Sequence, residues 1–396
     1  MSSESPGTKA EPIRIPRTIW ALGFVSLFMD LSSELVHSLL PVFLVTTLGA
    51  SALTVGVIEG IAESTAMLVK VFSGAISDFM GRRKGLLLLG YGLAALSKPL
   101  FPLAHSVEVV FIARFLDRIG KGIRGAPRDA LVADVSPAEI RGACFGLRQS
   151  MDTVGAVLGP ILAILLMLWL ADIQRVLWFA VIPATVAVVL IVAGVKESTQ
   201  ASSTHRFRSP IHWSVLHDFS SGYWWVVIIG GVFTLARFSE AFLVLRAQQM
   251  GLSVTWVPLV MVIMALFYAL SAYPAGWLSD RVSRTKLLCV GMGLLVLADL
   301  VLAQSSSVIT MMLGVALWGL HMGFSQGILA SLVADKSPRE LKGTAFGIFN
   351  LVSGVCMLMA SVIAGGLWQS VGSDSTFLMG AVIAFTALLL LLLKKQ

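Results

Sequence analysis

FIARFLDRIGKGIRGAPRDALVAD, residues 111–134, places Arg114, Arg118, Lys121, Arg124 and Arg128 in an otherwise apolar setting. At 100° per residue these bases cover about a third of a helix circumference. A charge at the centre of a bilayer costs ~3 kcal/mol on insertion scales and more in simulations. If this stretch spans a membrane, its basic face must turn toward water or toward acidic partners rather than lipid.

The surrounding chain says that it does span. Hydrophobic residues make up 57% of the 396 and charged residues 13%, with a mean hydropathy of +0.87. A soluble domain carries about 25% charged residues. Apolar runs long enough to cross ~30 Å of hydrocarbon recur from end to end. They are too long for the ~10-residue alternating strands of a membrane barrel. The fold class expected is therefore an all-α membrane protein. Twelve spans are predicted, at 17–46, 52–77, 84–104, 107–133, 140–169, 175–195, 222–248, 254–278, 286–304, 307–333, 341–370 and 375–393.

The formal net charge of +7 does not point to nucleic acid. Arg82, Arg83, Lys84, Arg141, Arg281, Arg284 and Lys342 fall in short segments between alternate apolar runs. That is the positive-inside pattern, and it puts both termini in the cytoplasm of a cell-membrane protein. The first run is too long for a signal-peptide core. Cys144, Cys289 and Cys356 are isolated and show no metal or disulfide spacing. No nucleophile–base constellation or phosphate-binding loop stands out, so no enzyme and no cofactor is expected. The partners expected are a small-molecule substrate, protons and the lipid bilayer, with the chain acting as a monomer.

The chain repeats itself. GAISDFMGRRK at 74–84 matches GWLSDRVSRTK at 276–286, and LVADVSPAEIRGACFG at 131–146 matches LVADKSPRELKGTAFG at 332–347. Two matches at nearly one offset imply duplicated six-helix bundles with a site between them near mid-membrane. The expected organisation is a cytoplasmic tail at 1–16, a bundle at 17–196, a linker at 197–221 and a second bundle at 222–396. The later part of the linker, with Trp213, Leu216 and Phe219, suits either a surface-lying helix or an unstructured connection.

These loops and this architecture resemble the major facilitator superfamily across nearly the whole chain. Gly74, Asp78, Gly81, Arg82 and Arg83 match its loop motif between helices 2 and 3, with Phe79 replacing an arginine. Gly276, Asp280, Arg281 and Arg284 form the second copy. Arg114 matches its helix-4 arginine, but Asp117 and Arg118 stand where Gln-Gly usually follows. Gly155, Gly159 and Pro160 resemble a helix-5 motif of proton antiporters, without the glycine pair that normally comes next. The resemblance implies the major facilitator fold, a drug:proton antiporter type, and a central cavity lined by helices 1, 4, 7 and 10.

Spacing then suggests roles. Asp78, Arg82, Arg83, Asp134, Asp280, Arg284 and Asp335 form a cytoplasmic gate, with Arg82 and Arg284 facing Asp134 and Asp335. Breaking it favours inward opening. Gly155, Gly159 and Pro160 are conformational parts that let helices approach and bend. Asp30, Glu34 and His37 share one face of the first span. Asp30 and Glu34 are expected opposite Arg114 and Arg118, as proton-coupling groups or as a permanent salt-bridge network. Arg148 and Asp152 are four apart and are expected to pair with each other or with helix 1 or 4, and Glu59 and Glu63 are also four apart. Glu59 or Glu63 can also neutralise Lys98 or a helix-4 arginine. Arg237 and Glu240 are expected to pair locally. The substrate cavity is expected to draw on His37, Lys121, Arg237, Trp318, His321, Met322, Phe324 and Gln326.

The function expected is proton-coupled efflux of a small organic molecule by alternating access. A second reading is transport of an organic anion, a carboxylate or phosphate ester. Unpaired helix-4 bases in the cavity would favour the anion. A third is metal-ion transport through His37, His321, Met322 and Cys356.

Overall fold

A computed structural model describes residues 14–196, 213–279, 281–338 and 341–393, and these are helical throughout apart from turns and short connections. Ten helices are long and apolar enough to cross a membrane: Arg17–Thr47, Ala52–Met80, Ala138–Leu170, Ile173–Gly194, Ser221–Gln249, Leu259–Ser279, Arg284–Ala303, Val308–Lys336, Lys342–Ser370 and Ser373–Leu393. Two more complete the twelve. Arg83–Ser97 is short, and Val107–Val135 is the charged stretch itself. We number them spans 1 to 12 in chain order, with Arg83–Ser97 as span 3 and Val107–Val135 as span 4.

Local chemistry sets the ends. Ser51 caps span 2 by accepting from the Thr54 N–H at 3.1 Å. Ser307 and Thr310 form a reciprocal capping box on span 10. Gly81 ends span 2 in the left-handed region, φ 61°, which a side chain adopts at a cost. Span 1 contains Pro41 and closes in a π turn, Phe43–Thr47. Spans 6 and 7 are each broken, into Ile173–Trp178 and Val181–Gly194, and into Ser221–Ala236 and Ala241–Gln249. The break in span 6 is followed by Pro183 in the first turn of the second piece, where a helix tolerates proline, whereas the break in span 7 contains neither proline nor glycine. Trp213–Asp218 is a 3₁₀ helix, and Phe219 after it is buried against Tyr223, Val333 and Ile348.

The packing is pseudo-symmetric. Span 1 packs on spans 5 and 6, and span 7 on spans 11 and 12. Span 4 packs on spans 2 and 3, and span 10 on spans 8 and 9. Each contact in the first six spans thus has its counterpart in the second six. The halves meet through span 2 against span 11, span 5 against span 8, and span 1 against the Ala241–Gln249 piece of span 7.

The halves do not meet evenly. Glycines mark the closest approach of spans 2 and 11: Gly365 lies on Ala52 and Leu53, Gly60 on Leu358, and Gly354 on Ser64 and Met67. The contact at Gly354 lies near the middles of both spans, and those at Gly365 and Gly60 belong to the halves farther from the termini. There one apolar core runs through both bundles, from Leu39 and Phe43 to Phe242 and Val257. Toward the terminal face the apolar clusters separate. One holds Ile19, Leu22, Leu87 and Ile191 of the first half, and another holds Tyr223, Val333 and Ile348 of the second. The two bundles are closed against each other at the far face and parted at the terminal face.

Candidate transport site

Span 4 is pressed onto its neighbours by glycines. A Cβ on Gly122 would meet Val69 at 2.6 Å, and one on Gly120 would meet the Ala94 nitrogen at 3.0 Å. This contact aims the basic face at span 2. Arg114 donates twice to Glu59, Nε at 3.0 Å and Nη2 at 2.7 Å, and both side chains are almost fully buried. Arg118 reaches Glu63 at 3.2 Å. Residues 59 and 63 are one turn apart, as are 114 and 118, so two facing helices present matched rungs. Lys98 donates to Asp117 at 2.9 Å and to Ser33 at 3.1 Å.

The expected pairing of Asp30 and Glu34 with Arg114 and Arg118 is therefore corrected. Span 2 acids take both arginines because the small residues of span 4 let span 2 come closer than span 1. Glu34 instead lies 3.5 Å from His37, whose other nitrogen is 3.7 Å from Glu59. Asp30 lies within electrostatic reach of Asp152 on span 5 and of Lys121 and Arg124 on span 4. Asp152 lies 3.6 Å from Arg128 and 3.7 Å from Arg148. Arg124 stacks over the Tyr91 ring at 4.7 Å. Lys121 is exposed at mid-span and, among the described residues, has no ion pair within 4 Å.

Spans 1 and 5 are held at backbone contact. A Cβ on Gly155 would collide with the Leu27 carbonyl, and one on Gly159 would meet the Leu31 carbonyl at 2.7 Å. Pro160 lies buried inside span 5. This crossing brings Asp152 within electrostatic reach of Asp30.

The second half contributes differently. The expected Arg237–Glu240 ion pair is absent among the described residues, because the break in span 7 removes the helical i,i+3 geometry. Arg237 sits 6.0 Å from the Phe233 ring, and its Nε has no hydrogen-bond partner. At the break the Ser239 N–H donates instead to the Ser361 hydroxyl, 3.2 Å away on span 11. Trp318, His321 and Met322 do not line a cavity wall as expected; they are buried. Span 10 is drawn inward because a Cβ on Gly319 would strike the Met264 carbonyl and one on Gly323 the Ser271 hydroxyl. His321 packs edge-on to Trp318 at 5.2 Å. Phe324 turns to Gly291 of span 9 and is half-buried, as is Gln326.

The loop motif is also corrected. Arg83, not Arg82, meets Asp134, at 2.6 Å, and it reaches Asp78 at 3.4 Å. After Gly81 the chain is extended at Arg82, which turns that side chain to solvent. Arg284 pairs with Asp335. Asp280 lies outside the described residues. Each pair joins two spans of one half, and both are intact while the bundles stand apart at this face. They brace each bundle and do not tie the bundles together.

Sequence spacing missed the proximity of Asp30 to Asp152, since it joins spans distant in the chain. It also missed Asp299, fully buried in span 9 with neither oxygen hydrogen-bonded. Gly380 makes the room: a Cβ there would meet Asp299 Oδ2 at 2.5 Å. The lone Asp in the apolar segment LLVLADLVLA was the available signal. His37, His321 and Cys356 are not gathered, and among the described residues no three His, Cys, Asp or Glu side chains form a metal-binding group.

The chain resembles an uncharacterised MFS-type transporter of Methanocaldococcus jannaschii, 31% identical over 96% of this chain and 95% of the relative. Part of it resembles the multidrug resistance protein MdtH of Photorhabdus laumondii, 31% identical over 39% of this chain and 38% of that one. Its fold matches a crystal structure of a POT family transporter at TM-score 0.80, with 14% identity over 95% of this chain and 96% of the other. The Major Facilitator Superfamily model matches residues 22–265 and 241–396. Matched twelve-span architecture, repeated loop pairs and these likenesses together mean that the chain belongs to the Major Facilitator Superfamily and is a multi-pass membrane transporter.

Proposed function

We propose that this transporter exports a small organic molecule in exchange for protons, by rocking the 17–196 bundle against the 222–396 bundle about the contacts at the far face. The observation that carries this reading is the array of ionisable groups on spans 1, 4 and 5. Asp30, Asp152 and Arg128 are half-buried and Lys121 is exposed, in a bundle parted from its partner on one side. Intramembrane charges held inside a bundle mark ion and substrate paths. The partial likeness to a multidrug resistance protein supports efflux. With the termini in the cytoplasm, the open face is the cytoplasmic one, where a compound to be exported enters.

Asp30 remains the proposed coupling group. Glu34, Arg114 and Arg118 set its surroundings through the Glu59–Glu63 ladder. The structural reading of Arg114 and Arg118 is the stronger one, since both are spent on buried acids. Lys121 and Arg237, without close ion pairs, support the organic-anion reading as the alternative, with one base in each half.

The test is flux in sealed vesicles containing the full chain, under an imposed pH gradient. Ethidium serves as the cationic probe and an aromatic carboxylate as the anionic one. Export predicts that a gradient accelerates movement of at least one probe and that the probe in turn dissipates the gradient. Movement indifferent to the gradient removes proton coupling. Acceleration of the carboxylate alone selects the anion reading.

A further inference from the structure

The closed far face carries a cavity outside the charged interior. It holds about 510 Å³ and lies across the line where the two bundles meet. The first half contributes Val45, from the π turn that ends span 1, and Ser51, which caps span 2. The second half contributes Gln248 and Gln249 from the end of span 7, and Trp368 and Gln369 from the end of span 11. Ala52 also lines the cavity, and there span 11 lies directly on span 2: a Cβ on Gly365 would meet the Ala52 carbonyl oxygen at 2.7 Å.

The lining selects what can sit there. Trp368 is half-buried and is anchored by the Phe242 ring at 5.7 Å and the Phe377 ring at 6.1 Å, so it offers an aromatic surface that is already ordered. Three side-chain amides share the wall, and an amide both donates and accepts. Gln249 Oε1 accepts from Arg246 Nη1 at 3.1 Å, which leaves the amide nitrogen of Gln249 to donate. None of the described residues lining the cavity is charged. Arg246 itself is spent on Asp374 at 2.8 Å and Ser373 at 2.7 Å. Apolar and aromatic walls with a few placed polar groups, at this volume, suit a drug-sized molecule. We propose that this cavity binds a small uncharged aromatic molecule bearing amide or hydroxyl groups, reached from the far side of the membrane, and that its occupancy holds the far face shut.

The second part rests on the rocking of the bundles and follows from linkage. Both halves supply walls, so the cavity exists only while spans 2 and 11 are in contact at Ala52 and Gly365. Opening the far face draws Val45 and Ser51 away from Trp368 and the glutamines, and a molecule held by both walls loses one of them. A ligand that binds one state alone stabilises that state. Such a molecule inhibits from the side opposite to cargo entry, without competing for the charged interior.

The probe is N-benzoyl-tyrosinamide, which has two rings, two amides and no charge, with N-benzoyl-tyrosine as its anionic control. Calorimetric titration of the full-length protein in lipid should show saturable binding of the amide. The acid should bind about tenfold more weakly, because its carboxylate finds no charged partner there. Trp368→Ala removes the ring and Gln369→Trp fills the cavity, and each should weaken the amide at least about tenfold. Thermal unfolding reports whether each variant is folded, and Gln248→Leu replaces Trp368→Ala if that one is not. Opening is read from Ser361→Cys in a chain carrying Cys144→Ala, Cys289→Ala and Cys356→Ala. Ser361 is fully buried between the halves, so a membrane-impermeant maleimide reaches it when the far face opens. At ten times its Kd the amide should slow labelling about tenfold. No saturable binding of the amide, equal binding of the acid, or binding indifferent to the substitutions overturns the site. Labelling unchanged at saturation overturns the hold on the closed face. Failure of the rocking reading looks different: no labelling with or without the amide while binding persists, which removes the hold and leaves the site.

Discussion

The two bundles share a plan and differ in what they do with polarity. Each repeats the same pairings of spans, and each has a basic residue after its second span braced on the LVAD aspartate, Arg83 on Asp134 and Arg284 on Asp335. Within the membrane they diverge. The first half buries Glu59, Lys98, Arg114, Asp117 and Arg118 in ion pairs, beside buried Arg124 and Arg148 that keep guanidinium nitrogens without a hydrogen-bond partner. The second half pairs its buried Arg246 with Asp374. The second buries Asp299, His321, Ser325 and Ser353 with side-chain atoms that have no hydrogen-bond partner in the protein. Paired charges are expensive to break and add little when made, because desolvation offsets their attraction. A polar group with no partner in the protein strands nothing when it is replaced and is easier to dispense with. The duplicated scaffold is indifferent to this choice; side chains make it.

The largest effect should come from breaking one partner of a buried pair. Arg114→Met strands Glu59 and should cost about 3–5 kcal/mol of stability, whereas Arg114→Met with Glu59→Leu should recover most of it. Thermal unfolding of both variants in detergent decides this, and equal losses would mean that the pair is not the reason for the cost. Next come the close approaches. Gly155→Ala in the first half must push span 1 away by its backbone, while Gly380→Ala in the second meets a carboxylate and the Phe238 ring. Each should cost about 1–3 kcal/mol by overpacking. Adding Asp299→Ser should relieve Gly380→Ala and leave Gly155→Ala untouched, since the sites share no partner.

A smaller effect separates the halves more sharply. His321→Phe in the aromatic cluster removes two nitrogens that bond to no protein group, so it should change stability by less than about 1 kcal/mol. A drop like that of Arg114→Met would show that this half depends on its polar groups as the first does. Smallest of all, Arg83→Ala and Arg284→Ala at the terminal face should each cost about 0–1 kcal/mol, being solvent-reached pairs. Arg82→Ala should cost less than Arg83→Ala. If Arg82→Ala proves the costlier, the pairing described for that loop is wrong.

Much of the fold was legible in order. Apolar runs of bilayer length and two internal matches lead to twelve spans in two bundles, because a chain in lipid must satisfy its backbone within each helix. The Arg284–Asp335 pair follows from the repeat. Its partner in the first half was assigned one residue early, since a left-handed Gly81 and an extended Arg82 shift which side chain comes round to Asp134. The break in span 7 escaped notice, as it contains no proline or glycine and is met by the tertiary hydrogen bond from Ser239 to Ser361, while Pro183 was the available signal for the break in span 6.

By itself, then, the sequence determined that the chain crosses a membrane many times, that its halves are copies, and that the bases of residues 114–128 need partners. Local periodicity and the cost of charge in hydrocarbon suffice for that. Only the tertiary structure decided which partners they have. Whether Arg114 meets Glu59 or Asp30 depends on which neighbour comes closest to span 4. That distance is set by small residues at helix crossings, such as Gly120, Gly122, Gly155 and Gly159, acting between spans that the chain order leaves far apart.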